Sequence, residues 1–556
     1  MAFGFPADPS IPFPHARRRR GTPVLSLNGM GAGQHPLVVS SIASTLAAGG
    51  NAVDASIAGA WTAAVVMPAA CGVGGDLFAI VSVPGQPVNT VLSSGIAPRG
   101  ASLEFMRERG DDGGRLMPQQ GPLSPSVPGF PAGVWELHRL YSSRPMEELA
   151  AAAIGYANDG FPVGHALARS ARDIEPLLAR TPTTSSVFLP NGVPPGVGQI
   201  LRQPNLAQTI ERIAKGGDSL FYDGPLAGEI ADALQAMGGA LTKDDFSGHQ
   251  AMITPPIKTT YRDFTILETG FPTPGMVLLE ALNIVEHDDL GRSGVSSAAS
   301  IHLEVEALKL AFADRVGYVG DPTFIESRID KLISKEWATR RRQAIDPVRA
   351  AENVAAQPLT DGDTTYLCVV DGNGMMVSMI SSISAGFGSG VVAGDSGILL
   401  NNRAGHCFSL EDGHPNQFAP GKKTVHTLNC YMVADDSGTP IMVGGTPGGD
   451  SQPQWNLQAL TSLIDEGLDV QAATEVPRWS IFPASYPIDL GNPYSLFIES
   501  QVGDDVIRDL KARGHNVVEQ QPWAQSGSVQ LIARDPETGV LCGGSDPRAE
   551  GMAIGI

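Results

Sequence analysis

The sequence predicts an α/β chain in which antiparallel sheets lie beneath packed helices, and three observations carry that prediction. The segment Ala52 to Val66 is apolar nearly all round with only Asp54 charged, which suits a helix inside a large core. From Thr364 the texture turns to strand: Thr364–Asp371 and Met375–Ser381 flank the hairpin turn Gly372-Asn373-Gly374. The same pattern recurs in Leu428–Val433 and Pro440–Gly444 around a turn region from Asp435 to Thr439.

In chain order, residues 1 to about 23 are rich in Pro and Arg and read as a disordered arm, with ordered sequence starting near Val24. Pro36 to Val66 reads as two helices broken at Gly49-Gly50-Asn51. Cys71 to Asp76 turns the chain, and Leu77 to Val83 reads as a buried strand. Helices are expected at Gly133–Tyr141, Met146–Asn158, Leu226–Met237, Met276–Val285 and Ser297–Val316. The last is long and reads as amphipathic, with Leu303, Ala307, Leu310, Ala311 and Asp314 near helical spacing. Ala350 to Asp363 carries Pro358 and Gly362 and reads as an exposed, flexible linker. Later helices are expected at Gln454–Glu466 and Asp504–Arg513; Asp504-Asp505 suit a helix N-terminus and Gly514 a stop.

Composition narrows the function classes. With 42% hydrophobic and 17% charged residues the chain can bury a sizeable core and is not a disordered one. A net charge of -20 disfavours nucleic acid and anionic membrane as partners. No run approaches the roughly 18 apolar residues of a membrane span, and the expected compartment is the cytoplasm. The run Arg17 to Arg20 reads as a solvated tail, because Asn28, Gly29 and Gln34 interrupt the apolar stretch that an export signal needs. Five cysteines without a CxxC pattern argue against a disulfide framework or a zinc site.

Two local features can carry chemistry. Asp363-Thr364-Thr365 sits where the linker meets a strand. A threonine hydroxyl becomes a nucleophile when an adjacent base takes its proton, and its own free α-amine can do so once the residue is an N-terminus. A mid-chain threonine reaches that state by attacking the preceding carbonyl, after which water releases the new end. By itself the Thr-Thr pair is equally the start of a β-branched strand. The second feature is Gly444-Gly445-Thr446-Pro447-Gly448-Gly449-Asp450, whose glycine N–H groups can hold a developing oxyanion. A tight turn or anion nest would look the same, but no Gly-Lys-Ser/Thr follows to make it a Walker loop.

Longer runs add a resemblance. Thr364-Thr365-Tyr366-Leu367-Cys368-Val369-Val370-Asp371 resembles the start of the small subunit in the gamma-glutamyltranspeptidase family, as does the run from Phe387 through Asp395-Ser396-Gly397 to Asn401-Asn402. His35-Pro36-Leu37, Gly49 to Ala55, Gly72 to Asp76, Val127-Pro128-Gly129, Gly160 to Val163, Phe221 to Gly224 and Lys309 to Arg315 resemble its large subunit, and Asp546-Pro547-Arg548 its tail. The resemblance implies a four-layer αββα N-terminal-nucleophile hydrolase sandwich of two antiparallel sheets. It implies cleavage between Asp363 and Thr364 into a large subunit, 24–363 behind the arm, and a small catalytic subunit, 364–556. Thr364 would be nucleophile and base, Gly448 and Gly449 oxyanion donors, and Ser382 the hydroxyl supporting the amine. No cofactor or metal is implied.

The substrate clamp departs from the family pattern. Ser94 stands where glutathione-cleaving members place an arginine, and Arg99 reads as a surface residue. His406 or Cys407 stands near the place of an aspartate, His426-Thr427 replaces a serine pair, and Ser384 replaces an asparagine. A hydroxyl does not substitute for a bidentate ion pair. The site gains Arg403, which could pair with Asp395 or touch substrate, along with His406 and His426. Arg403, His406, His426, Thr427, Ser384 and Asn402 are therefore the candidate substrate-binding residues. The pattern is similar to oxamate amidohydrolase and acylase-like branches and implies a small amide bearing a carboxylate. A gamma-glutamyl hydrolase or transferase with an altered clamp, and an unprocessed anion-binding relative, stay open, as does assembly of the two-subunit unit into a homo-oligomer.

Overall fold

The computed structural model describes residues 3–4, 21–351, 364–489 and 492–556. The expected arm therefore lies largely outside the described residues, as do most of the expected linker and Asp363 itself. Two seven-stranded antiparallel sheets form the centre of the molecule. The first runs in the order Met552–Gly555, Gly29–Gly33, Thr365–Asp371, Met376–Ser382, Asp76–Ser82, Asn89–Ser93, Met252–Thr254. The second runs Val24–Ser26, Leu541–Ser545, Gln530–Arg534, Pro440–Gly445, Tyr431–Ala434, Phe264–Glu268, Ile257–Tyr261.

Alternation along these strands divides the core. Tyr366, Cys368, Val370, Ile380, Met432, Val443 and Ile532 meet between the sheets. The opposite face of the first sheet packs on the helices Pro36–Ala47, Ala52–Val66, Phe130–Tyr141 and Met146–Asp159. The outer face of the second packs on Gly275–Val285, Ala298–Tyr318 and Ser451–Ile464. Four layers result, αββα. All fifteen residues of Ala52–Val66 are buried, as an all-round apolar helix requires. Its one charge, Asp54, closes a capping box with Asn51 and accepts from the hydroxyls of Ser142 and Ser143.

The helix Ala298–Tyr318 corrects its expected amphipathic character. Glu304, Glu306, Lys309, Asp314 and Arg315 are all buried, because both flanks of this helix are covered; the last four are ion-paired inside, and Glu304 accepts from the Thr461 hydroxyl at 2.8 Å. The sequence pattern also gave no account of the small sheet Trp479–Phe482, Ser495–Glu499 and Val517–Gln520, or of the helices between His165 and Tyr222, whereas the helix expected at Leu226–Met237 is present as Pro225–Ala236. None of the five cysteines is in a disulfide, and all are buried. Among the described residues no helix is long and apolar enough to cross a membrane.

Candidate active site

Strand register builds the site. Thr365 pairs with Ser381, so Thr364 falls level with Ser382, and Ser382 pairs with Asp76 on the next strand. Tyr366, Ile380 and Phe78, two residues further along each strand, belong to the core between the sheets. The two-residue period therefore turns Thr364, Ser382 and Asp76 toward that same interior. With strands about 4.8 Å apart, the row spans roughly 10 Å of backbone from Thr364 to Asp76. Thr364 is 1% exposed and its hydroxyl has no hydrogen-bond partner among the described residues. Ser382 Oγ accepts from Ser384 N–H at 2.8 Å. Ser384 is held at φ +85°, a left-handed conformation that a serine adopts at a cost of about 1 kcal/mol or more.

The second sheet closes over this row. A Cβ on Gly445 would stand 2.4 Å from the Tyr366 ring, and one on Gly444 2.5 Å from the Tyr431 ring. These two glycines let the strand end press onto two aromatic rings, one of which, Tyr366, lies two residues from Thr364. The chain then turns through Thr446 to Asp450 into the helix Ser451–Ile464. Gly448 has φ +129° and Gly449 φ +54°, and a Cβ on Gly448 would meet Trp455 at 2.2 Å. Neither glycine N–H donates to a described residue, although their carbonyls accept from Ser451 and Gln452. Two free donors at a helix N-terminus are suited to stabilising an oxyanion.

A buried ion pair fixes this loop. Asp450, next to Gly449, accepts from Arg315 at 3.1 Å and from the Ser485 N–H and hydroxyl, both at 2.7 Å. Arg315 also donates to Ser485 Oγ and to the His426 carbonyl. The sequence run Lys309 to Arg315 thus supplies a brace between the glycine loop, the 485 loop and His426. The tail Asp546-Pro547-Arg548 is likewise structural: Arg548 and Arg478 hold Asp546, and Arg548 pairs with Glu499 at 2.6 Å.

Arg403 lies at the other end of the row. It pairs with Asp76 and not with Asp395, its Nε lying 3.6 Å from Asp76 Oδ2, because the turn Arg403–Cys407 packs toward the strand end. Its Nη1 donates to Thr427 Oγ1 at 3.1 Å and approaches Cys407 Sγ at 3.6 Å. Although the residue is 1% exposed, Nε and Nη2 have no hydrogen-bond partner among the described residues. Burial pushes Asp76 up to about 7, with Arg403 pulling the other way.

The remaining candidates divide by what their polar atoms already do. Leu428 N–H donates to His426 Nδ1, so Nε2 carries the proton and donates to Asp76 Oδ2 at 2.8 Å. His426 is fully buried, and burial holds it well below the usual imidazole range. Asn402 accepts from Ala385 N–H and donates to the Gln119 carbonyl, which commits its amide to the scaffold. His406 Nδ1 contacts Ser384 Oγ at 3.1 Å, and burial, then the Arg403 charge, push it down to about 3. Its ring stacks on Tyr486 at 4.2 Å and 12°. Arg99 is on the surface, 54% exposed, facing Asp245, while Ser94 is buried.

Sequence reading missed Asp76, Arg315, Asp450 and Tyr486 as parts of this arrangement. For Asp76 a signal existed: a lone acid opening an otherwise apolar strand. For Tyr486, inside Ala484-Ser485-Tyr486-Pro487, the sequence carries none.

The gamma-glutamyltranspeptidase family model matches residues 40–556. The chain is 34% identical over 544 residues to an oxamate amidohydrolase proenzyme of Klebsiella pneumoniae, covering 96% of this chain and 99% of that one. It is 34% identical over 511 residues to a glutathione hydrolase-like proenzyme of Bacillus subtilis, covering 91% and 94%. The crystal structure of a cephalosporin acylase from Bacillus halodurans superposes with a TM-score of 0.89 at 34% identity, over 99% of each chain.

Proposed function

The chain belongs to the gamma-glutamyltranspeptidase family, enzymes of the N-terminal-nucleophile type that act on amide bonds, and from that membership we propose that it is a self-processing amidohydrolase for small amides bearing a carboxylate. The precursor cleaves itself before Thr364, as the proenzyme names of its relatives suggest. The Thr364 hydroxyl then attacks the substrate carbonyl and gives its proton to the new α-amine. Gly448 and Gly449 N–H groups hold the oxyanion. The C–N bond breaks as the ammonium returns the proton to the leaving amine. Water cleaves the resulting ester, releasing the acid and restoring the hydroxyl; an amine in its place would give transfer.

The observation that carries the substrate class is the buried Arg403 guanidinium, whose Nη2 has no hydrogen-bond partner among the described residues and whose Nε reaches only Asp76 Oδ2, at 3.6 Å. Donors held out of water without acceptors are costly, and a substrate carboxylate supplies the acceptors. A gamma-glutamyl substrate is the second reading. It is favoured by Asp76 Oδ1, buried beside Arg403 without a partner, which could receive a substrate ammonium.

Mass spectrometry of the purified protein tests processing and should show a chain starting at Thr364; a chain that stays intact on long incubation sinks this reading. Turnover of small carboxylate amides beside a gamma-glutamyl anilide tests substrate class, with Arg403→Met expected to lose most of the preferred activity. Preference for the anilide selects the second reading. Equal turnover by Arg403→Met removes Arg403 from both.

A further inference from the structure

We propose that Tyr486 determines substrate specificity by donating its phenol hydroxyl to the carboxylate that Arg403 pairs with. This rests on the reading of Arg403 given above. Tyr486 is 3% exposed; its hydroxyl faces Thr427, whose Oγ1 already accepts from Arg403, but makes no hydrogen bond of good geometry among the described residues. Arg403 Nη2 likewise has no hydrogen-bond partner among the described residues, and Nε reaches only Asp76 Oδ2 at 3.6 Å, too long for a full hydrogen bond. An unsatisfied buried donor is uncommon in a folded protein, and three in one site call for a common acceptor.

Two independent contacts place the ring there. On one side it stacks on His406, three residues along the same helical turn from Arg403. On the other, the preceding Ser485 is gripped through backbone and side chain by Asp450, the residue that follows the glycine loop. Tyr486 therefore bridges the carboxylate-binding end of the site and the loop over Thr364. Its backbone is fixed by the Arg315–Asp450 brace, so the hydroxyl is presented with little freedom.

The chemistry of the donors sets the ligand. Burial holds the phenol well above its ordinary range, so it remains a donor at neutral pH. Arg403 offers donors only, and the neutral His406 adds no charge of its own. Two guanidinium N–H groups and one phenol O–H match the two oxygens of a carboxylate, which accept several bonds at once. A neutral amide or ester of the same shape accepts fewer and weaker bonds. The pair thus favours an acyl group ending in an anion, whichever leaving amine it carries.

The test compares kcat/KM for oxamate with that for its uncharged ethyl ester, in the processed wild type, Tyr486→Phe, Arg403→Met and the double variant. Tyr486→Phe keeps the ring on His406 and removes only the donor. We expect its preference for the anion to fall about ten- to a hundredfold, the worth of one hydrogen bond to a charged group, mainly through KM. The double variant should lose less than the sum of the singles. If Tyr486→Phe keeps the wild-type preference while Arg403→Met abolishes it, the Tyr486 proposal fails and the Arg403 reading stands. If Arg403→Met also keeps the preference, that reading fails with it. Should a variant fold but turn over too slowly, calorimetric binding of oxalate reads the same contact, with the same expected loss.

Discussion

Replacing Arg315 by Met removes the brace beneath the glycine loop. Arg315 is 2% exposed and Asp450 1%, and their contact is 3.1 Å. Met fills much of the arginine's volume but leaves the Asp450 carboxylate with only the Ser485 N–H and hydroxyl. Breaking a buried pair by removing one partner costs about 3–5 kcal/mol, most of it the stranded charge. That charge adjoins Gly449, so the cost falls on the local stability of the loop and the first turn of Ser451–Ile464. At about 1.4 kcal/mol per tenfold, hydrogen exchange in a peptide spanning residues 446–452 should speed up by two to three orders of magnitude. The kcat should fall with it. Adding Asp450→Asn removes the stranded charge and should recover part of the protection. Exchange within tenfold of wild type in Arg315→Met, or strict additivity in the pair, would refute the reasoning.

Three further outcomes follow from the geometry. Gly448→Ala puts a Cβ 2.2 Å from Trp455 at φ +129°, so the loop must move, and kcat should fall about 10²- to 10³-fold in steady-state assays of processed enzyme, the loss typical for one oxyanion donor. With Asp76 pushed up to about 7, its carboxylate ionises as pH rises through that value and offsets Arg403; kcat/KM for an anionic substrate should decline above it, and Asp76→Asn should flatten the pH profile. His515 is buried against His302 and pushed down to about 3 from the usual 6.5, so the unfolded chain binds the extra proton between those values. Its contribution to stability is present above about 6.5 and lost as pH falls, at about 1.4 kcal/mol per pH unit, which thermal melts across that range should show and His515→Gln should lessen.

The fold was legible where local pattern and burial agree. Ala52–Val66 could be read as an interior helix because no face of it is polar, and the hairpin at Gly372-Asn373-Gly374 because turn chemistry is local. The helix Ala298–Tyr318 misled, because its buried charges look like a solvated face until Asp450, Arg341 and other partners far along the chain are brought to them. The same holds at the site. Thr364, Ser382 and the glycine loop stand in runs long enough to compare with a family. Asp76 and Arg403 meet only after strand order places positions 327 residues apart side by side (403 − 76). Tyr486 gains its meaning from a stacked ring and a buried hydroxyl facing Arg403's partner Thr427, neither of which leaves a trace in sequence.

The strand order of the first sheet has a consequence for how the molecule must be made. Thr365–Asp371 pairs on one side with Gly29–Gly33, and its hairpin partner pairs with Asp76–Ser82. The second sheet also mixes strands from before and after Thr364. Scission before Thr364 would sever none of the described strands, yet neither product holds a complete sheet. Assembly should thus proceed while the chain is covalently whole, when loop closure brings the strands together at high effective concentration. Once cut and pulled apart in denaturant, the two pieces would face a bimolecular search with exposed edges, and aggregation would compete with recovery. The persistence of the cut molecule would then be a matter of how slowly it opens rather than of how readily it re-forms.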